Sequence, residues 1–321
     1  MDREEIEKIT RAGSQIRENI ERVIVGKGPI IELVLVAIFC EGHILLEDVP
    51  GIGKTMLARA VARSLECQFR RIQCTPDLLP TDITGSYIYN QKNGEFVFRP
   101  GPVFTQIVLA DEINRATPRL QSALLEAMEE RQVTLEGETR PLPRPFLVLA
   151  TQNPVELEGT FPLPEAQMDR FLMKLKIGYT NETEDGIILE RFASHNPIEE
   201  LKSVIDAEEV LALQKVCRKV LVTPEIQQYI IHLVRATREQ PHVDLGASPR
   251  AMLGLYRTAQ ALAVLRGRGF VIPDDVKYLA PFVMAHRIIP EASASLKGGR
   301  GEDVVQAVLN TVATPVEAEP A

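Results

Sequence analysis

A chain of 321 residues with 45% hydrophobic and 25% charged side chains carries apolar material for about two domains and excludes disorder throughout. Its net charge of −8, without a basic tract, gives no electrostatic footprint for duplex nucleic acid, although a patch lining a ring pore would not show in that sum. The longest nearly apolar run, residues 30–40, is interrupted by Glu32 and falls far short of the roughly 20 residues of a membrane helix, and the acidic start Met-Asp-Arg-Glu-Glu is unlike a secretory signal, so no membrane insertion and a cytoplasmic location are expected.

Apolar residues recur at helical spacing over 28–40, and residues 43–47 read as a short buried strand. After a glycine-rich turn, 56–65 reads as helix, 69–74 and 106–110 as strands, 120–130 as helix, and 146–150 and 172–177 as further strands. Strands separated by helices imply parallel pairing through crossovers, hence an α/β first half. Two segments break that alternation as hairpins. One is 87–98, with the tight-turn dipeptide Asn93-Gly94 between aromatic arms, for which core packing is expected over a stacking platform; the other is 132–142, with Gly137 at its tip.

Residues 178–186 turn polar and read as a hinge. Beyond it no strand is expected. Asp206-Ala-Glu-Glu209, Thr223-Pro224, Ser248-Pro249 and Pro273-Asp-Asp275 mark helix starts, predicting a small all-helical second domain, so that the division is 1–178 and 186–321, with a fraying end over 312–321. Cys40, Cys67, Cys74 and Cys217 lack zinc-ligand spacing and read as buried reduced thiols, and the five histidines share no ligand or nucleophile pattern. Glu126, Glu129, Glu130 and Arg131 read as a solvated helix face.

The strongest chemical signal is Leu46-Glu-Asp-Val-Pro-Gly-Ile-Gly-Lys-Thr55, between a strand and a helix. Gly51 and Gly53 let backbone approach phosphate oxygens, with Pro50, Ile52 and Met56 completing the loop; its N–H groups and the helix N-terminus attract negative charge, Lys54 reaches the β- and γ-phosphates, and Thr55 ligates Mg²⁺. The pattern departs from the usual phosphate-loop motif at its first position, where Asp48 replaces glycine. Residues 107–112 form an apolar strand ending in Asp111 and Glu112; Asp111 is expected to hold Mg²⁺, mostly through water, and Glu112 to polarise the attacking water.

Together with Ala110-Asp-Glu-Ile-Asn-Arg-Ala116, Gln121-Ser-Ala-Leu-Leu-Glu-Ala-Met-Glu-Glu130 and Leu163-Pro-Glu-Ala-Gln-Met-Asp-Arg-Phe171, that loop resembles the MoxR family of AAA+ ATPases over nearly the whole chain. The resemblance implies an AAA+ core with a parallel sheet, the two hairpins as the helix-2 insert and pre-sensor hairpin, and a helical lid with ATP between core and lid. It implies Asn153 as the sensor of water or γ-phosphate, and Arg170 as a finger to the neighbouring subunit's γ-phosphate, with a salt bridge to Asp169 or Glu165 as the alternative. It further implies Arg250 as a lid arginine serving the same nucleotide, and Val25 and Gly26 as packing on adenine. Asn114 and Arg115 belong to the signature without a derivable role. A hexameric ring remodelling protein clients with von Willebrand factor A domain partners is implied; a nucleic-acid motor and a magnesium-chelatase-like subunit are the alternatives.

Overall fold

The computed structural model describes residues 1–92, 94–154, 159–295 and 298–315. The chain opens with α1 (Arg3–Glu21), a helix not expected from the sequence, although its signals are there: Asp2 and Glu5 form a reciprocal capping box, and Ile9, Ala12, Ile16 and Ile20 recur on one buried face. Then come α2 (Gly28–Phe39), β1 (Ile44–Glu47), α3 (Lys54–Ser64), β2 (Phe69–Gln73), α4 (Pro80–Thr84) and the hairpin β3 (Gly85–Asn90) with β4 (Glu95–Pro100). They are followed by β5 (Ile107–Asp111), α5 (Pro118–Glu130), the hairpin β6 (Gln132–Leu135) with β7 (Glu138–Pro141), β8 (Leu147–Gln152), α6 (Glu165–Met168) and β9 (Met173–Leu175).

Five strands form one parallel sheet in the order β2-β5-β8-β1-β9. The alternation of side chains along each strand divides the core. Ile44, Leu46, Ile107, Leu109, Leu147 and Leu149 join an apolar cluster with α1, α2 and α3, whereas Leu45, Val108, Ala110, Val148 and Ala150 join a second cluster with α5. Because β5, β8 and β1 are neighbours, the loops leaving their carboxyl ends meet at one edge, where parallel sheets present ligand sites.

The predicted hinge is shorter than expected. Helix α7 (Glu182–Phe192) begins inside it, because Asn181 and Glu184 form a second capping box. Then follow α8 (Ala207–Cys217), α9 (Pro224–Ala236), β10 (Val243–Leu245), α10 (Pro249–Leu265), α11 (Pro273–Met284), β11 (Ile289–Pro290), α12 (Ala292–Ser295) and α13 (Gly301–Thr311). Asp206, Thr223 and Ser248 cap α8, α9 and α10 as expected. Two strands correct the all-helical expectation: β10 and β11 pair antiparallel, and at three and two residues they are too short to carry a period-two signal. The first core cluster continues from α1 and α2 into α8–α11, so the N-terminal helices share apolar packing with the second half of the chain.

Both hairpins form as expected; Asn93 at the first turn lies outside the described residues, as does 316–321 of the predicted fraying end. Core packing holds only for the base of the first hairpin, where Phe98 meets Phe104 edge-on at 5.5 Å and the Arg140 guanidinium lies 4.4 Å over the Phe98 ring. Towards the tip Ile88, Tyr89, Phe96 and Val97 are exposed, Phe96 at 69%, because a two-stranded ribbon projecting from the body has nothing to cover its far end. The hairpins are joined where Tyr87 donates to Glu138 at 2.6 Å. All four cysteines are unpaired; Cys74 and Cys217 are buried as expected, whereas Cys40 and Cys67 are half-buried.

Candidate functional site

The turn between β1 and α3 is built on glycine. Gly51 and Gly53 adopt φ of +88° and +89°, the left-handed region that other residues enter at a cost, and no atom lies within 4 Å of the place a β-carbon would take on either. The backbone therefore faces outward bare, and α3 starts at Lys54 without a side-chain cap, leaving its leading amides to an anion. Lys54 Nζ donates to the carbonyls of Asp48 (2.7 Å) and Val49 (3.2 Å) across the loop. Burial pulls its ammonium below the ordinary value, and the carboxylates of Asp111, Asp48 and Glu112 oppose that pull, which puts the lysine within electrostatic reach of the β5 end.

Beside this loop lies a cleft of about 310 Å³. Val25, Pro50, Gly51, Ile52, Gly53 and Met56 line it, as do residues 178–180 and the α7 side chains Ile188 and Phe192. Gly26, with φ +72°, stands next to Val25, and a side chain there would collide with Glu184 of α7. An apolar chamber at one end and bare amides at the other fit a nucleoside triphosphate.

At the β5 end one hydroxyl organises the acidic pair. Thr151 of β8 donates to Asp111 Oδ1 at 2.6 Å and accepts from the Glu112 N–H at 2.8 Å. Arg71 of β2 donates to Asp111 Oδ2 at 2.6 Å, Gln73 donates to Glu112 Oε2 at 2.9 Å, and Arg115 lies 3.3 Å from that oxygen. Glu112 has φ +57°, a strained backbone of the kind concentrated at functional sites. Asn153 follows Thr151 by two residues, is buried, and accepts at its carbonyl from Asn114 Nδ2 at 3.3 Å. Thr55 and Asp111 offer hard oxygen donors beside the loop, a set that suits Mg²⁺ completed by phosphate and water; among the described residues no cluster of three or more His, Cys, Asp or Glu offers an all-protein metal cage.

Two predicted arginines lie elsewhere. Arg170 and Arg250 line a second cleft, of about 460 Å³, in which no residue of the first takes part. Both bond Glu129 of α5: Arg170 Nε at 3.0 Å from one carboxylate oxygen and Arg250 Nη2 on the other. Arg250 is thereby placed away from the nucleotide cleft of its own chain, because the α10 cap Ser248 docks on Asp169 at 3.0 Å. The ion pair considered for Arg170 exists with Glu129 in place of Asp169 or Glu165. Of the helix face expected to be solvated, Glu126, Glu129 and Glu130 are exposed, but Glu129 also holds two arginines and the half-buried Arg131 pairs with Glu41. Asp169 is taken by Arg287, whose side chain is 3% exposed, at 2.7 Å.

The structure thus brings Val25, Gly26, residues 50–56, Asp111, Glu112 and Asn153 to one side of the sheet edge and separates Arg170 and Arg250 from them. Sequence reasoning missed Thr151, Gln73 and Arg71. Only their positions on β8 and β2, adjacent to β5 in the sheet, mark them, and that adjacency is a property of the topology.

Residues 43–173 match the family model described as the ATPase family associated with various cellular activities (AAA), and residues 235–308 match that of the AAA lid domain. The Bacillus subtilis protein YeaC, itself uncharacterized, is 51% identical over 94% of this chain and 94% of its own. Chaperone MoxR1 of Mycobacterium tuberculosis is 44% identical over 92% of this chain and 80% of its own. The crystal structure of an ATPase candidate from Cytophaga hutchinsonii superimposes with a TM-score of 0.92 at 39% identity, covering 98% of both chains.

Proposed function

Because the chain belongs to the MoxR family of AAA+ ATPases and hydrolyses ATP, we propose that this hydrolysis is Mg²⁺-dependent, takes place between subunits of a ring, and drives chaperone-like remodelling or maturation of a protein complex. The observation that carries the reading is the meeting of the phosphate loop with the acidic strand end: β1, which leads into the loop, and β5, which ends in Asp111 and Glu112, flank β8, and Thr151 of β8 ties the two acidic residues together.

In this reading residues 1–178 are the nucleotide-binding domain and 186–321 the lid. The base packs against Val25 and Gly26, the triphosphate lies along Pro50, Gly51, Ile52, Gly53, Lys54, Thr55 and Met56, and Thr55 and Asp111 hold the Mg²⁺. Bound there, the cation neutralises charge developing on the phosphate oxygens. Glu112 orients and deprotonates the attacking water, while Gln73 and Arg115 on its Oε2 keep the carboxylate in place. Asn153 stands over the γ-phosphate. A carboxylate accepts the water proton, and an amide can both donate to phosphate and accept from water.

Arg170 and Arg250 complete the neighbouring subunit's site together. Their shared position beside Glu129, in a cleft apart from their own chain's phosphate loop, supports action across an interface. A cation supplied in trans in this way accelerates phosphoryl transfer by about 10³ to 10⁵. The assembly we propose is a cytoplasmic hexameric ring. Among the described residues no helix is long and apolar enough to cross a membrane.

The exposed apolar tip of the first hairpin, with Tyr89 at 53% and Phe96 at 69%, supports a protein client over nucleic acid, since such a surface gains from apolar contact. A partner with a von Willebrand factor A domain fits the same role. The experiment is a trap: Glu112→Gln, assembled with ATP in lysate, should retain ATP without turnover and co-purify a nuclease-resistant protein. Nuclease-sensitive material in its place would move the assignment to a nucleic-acid motor.

A further inference from the structure

Asp48, which stands where the phosphate-loop pattern has glycine, is a junction. Its N–H donates to Gln152 O at 3.2 Å at the end of β8, and its carbonyl accepts from Lys54 at 2.7 Å. Its carboxylate Oδ2 accepts from the N–H groups of Ile177, in a very short bond, and of Gly178 at 3.4 Å. Those two residues follow β9 and lead into Tyr179 and Thr180, which with Gly178 form one wall of the nucleotide cleft. On its far side the same wall is held by Lys27, whose ammonium donates to Tyr179 O at 2.8 Å. Two residues on, Asn181 caps α7, which places Ile188 and Phe192 in the cleft.

A single side chain therefore spans from the first residue of the phosphate cradle to the wall of the base chamber. Glycine has no atoms with which to do this. We propose that Asp48 is a positioning residue that sets the base chamber in register with the phosphate cradle, so that in this chain adenosine binding and triphosphate binding are cooperative through its carboxylate. The inference rests on the assignment of the first cleft to ATP. Charge-assisted bonds from a carboxylate to backbone N–H groups are strong enough to hold such a wall, and an amide oxygen at the same position accepts the same donors. Asp48 touches no reacting atom; it acts through residues 177–180.

The test compares Asp48→Ala with Asp48→Asn. Both remove the charge next to the cradle, and only the second retains an acceptor. Binding of ATP and of inorganic tripolyphosphate is measured on each by displacement of a fluorescent ATP analogue. Asp48→Ala should bind ATP about tenfold more weakly than Asp48→Asn, while tripolyphosphate binds the two variants alike. In steady state KM for ATP should rise with kcat held within about twofold, as for loss of uniform binding. Equal ATP affinity in the two variants, or a parallel fall for ATP and tripolyphosphate, would overturn the proposal. Should the alanine variant not fold, Asp48→Gly, which restores the usual loop residue, carries the same comparison. A wild-type protein unable to bind ATP would instead refute the reading of the cleft itself.

Discussion

Replacing Arg287 by methionine removes a guanidinium and keeps most of its apolar stem, and the structure fixes what is lost. Arg287 Nε donates to Asp169 Oδ1 at 2.7 Å, Nη2 to Phe171 O at 2.6 Å and to Asp169 O at 3.1 Å, and Nη1 to Leu172 O at 3.2 Å and to Val283 O. Burial, with the Arg250 charge adding to it, pulls this guanidinium below its ordinary value, and Asp169 opposes the pull, so the pair is desolvated. In the variant Asp169 retains Ser248 at 3.0 Å and a distant Arg250 at 3.8 Å, and Phe171 O retains His286, while the carbonyls of Asp169 and Leu172 lose this donor. Breaking one side of a buried pair costs roughly 3 to 5 kcal/mol, and for a chain of this size about 4 kcal/mol corresponds to a fall in Tm of roughly 6 °C. Urea unfolding followed by far-UV circular dichroism gives the loss directly. A double-mutant cycle with Asp169→Asn should return a coupling of at least about 1.5 kcal/mol. A loss below about 1 kcal/mol with no coupling would refute the claim that this pair fixes the Arg170 segment to the lid.

Two further outcomes follow from buried and shared charges. His43 accepts from Val148 N–H at Nδ1 and donates to Met128 O at Nε2, both at 3.0 Å, and burial, with the Arg131 charge added and the Met128 bond opposing, lowers its pKa from 6.5 to about 4. The unfolded chain then binds a proton that the folded one refuses between those values, so stability is lost as pH falls from about 6.5 and the loss, about 3 kcal/mol, is complete below about 4. His43→Gln should flatten that slope in urea titrations between pH 7 and pH 4.5, and an unchanged slope would contradict the assignment. Glu129 holds Arg170 and Arg250, and if they serve a neighbour's phosphate as proposed they have to leave it. Glu129→Gln should therefore raise turnover of the assembled enzyme by about threefold, within the worth of a partly exposed ion pair, and a fall in turnover with assembly intact would make Glu129 a support of those arginines instead.

The sheet was legible because its strands are short continuous apolar runs between helical patterns, and residues 51–55 announced their chemistry because bare backbone, a cation and a hydroxyl must follow one another in space as in sequence. What escaped depends on elements distant in the chain. Thr151 and Gln73 matter only because β8 and β2 flank β5. Glu129 reads as surface on α5 until α10 brings Arg250 to it, and Arg250 reads as a ligand of its own chain's nucleotide until Ser248 docks on Asp169. Helices α1 and α7 carry plain capping boxes, Asp2 with Glu5 and Asn181 with Glu184, the second of them inside a segment whose polarity suggested a hinge. The strands β10 and β11 are held by their neighbours and not by any pattern of their own.

The central claim, that each catalytic site is shared by two subunits, is tested most directly by mixing two inactive variants. Lys54→Ala loses its own phosphate site and keeps Arg170 and Arg250, whereas Arg170→Ala keeps its phosphate site and loses the finger. If the arginine acts across the interface, random equimolar rings regain intact sites wherever an Arg170→Ala subunit meets a Lys54→Ala finger, about a quarter of all interfaces. ATPase activity of about that fraction of wild type is the predicted result. Mixed rings, verified by mass, that remain as inactive as either parent would contradict it.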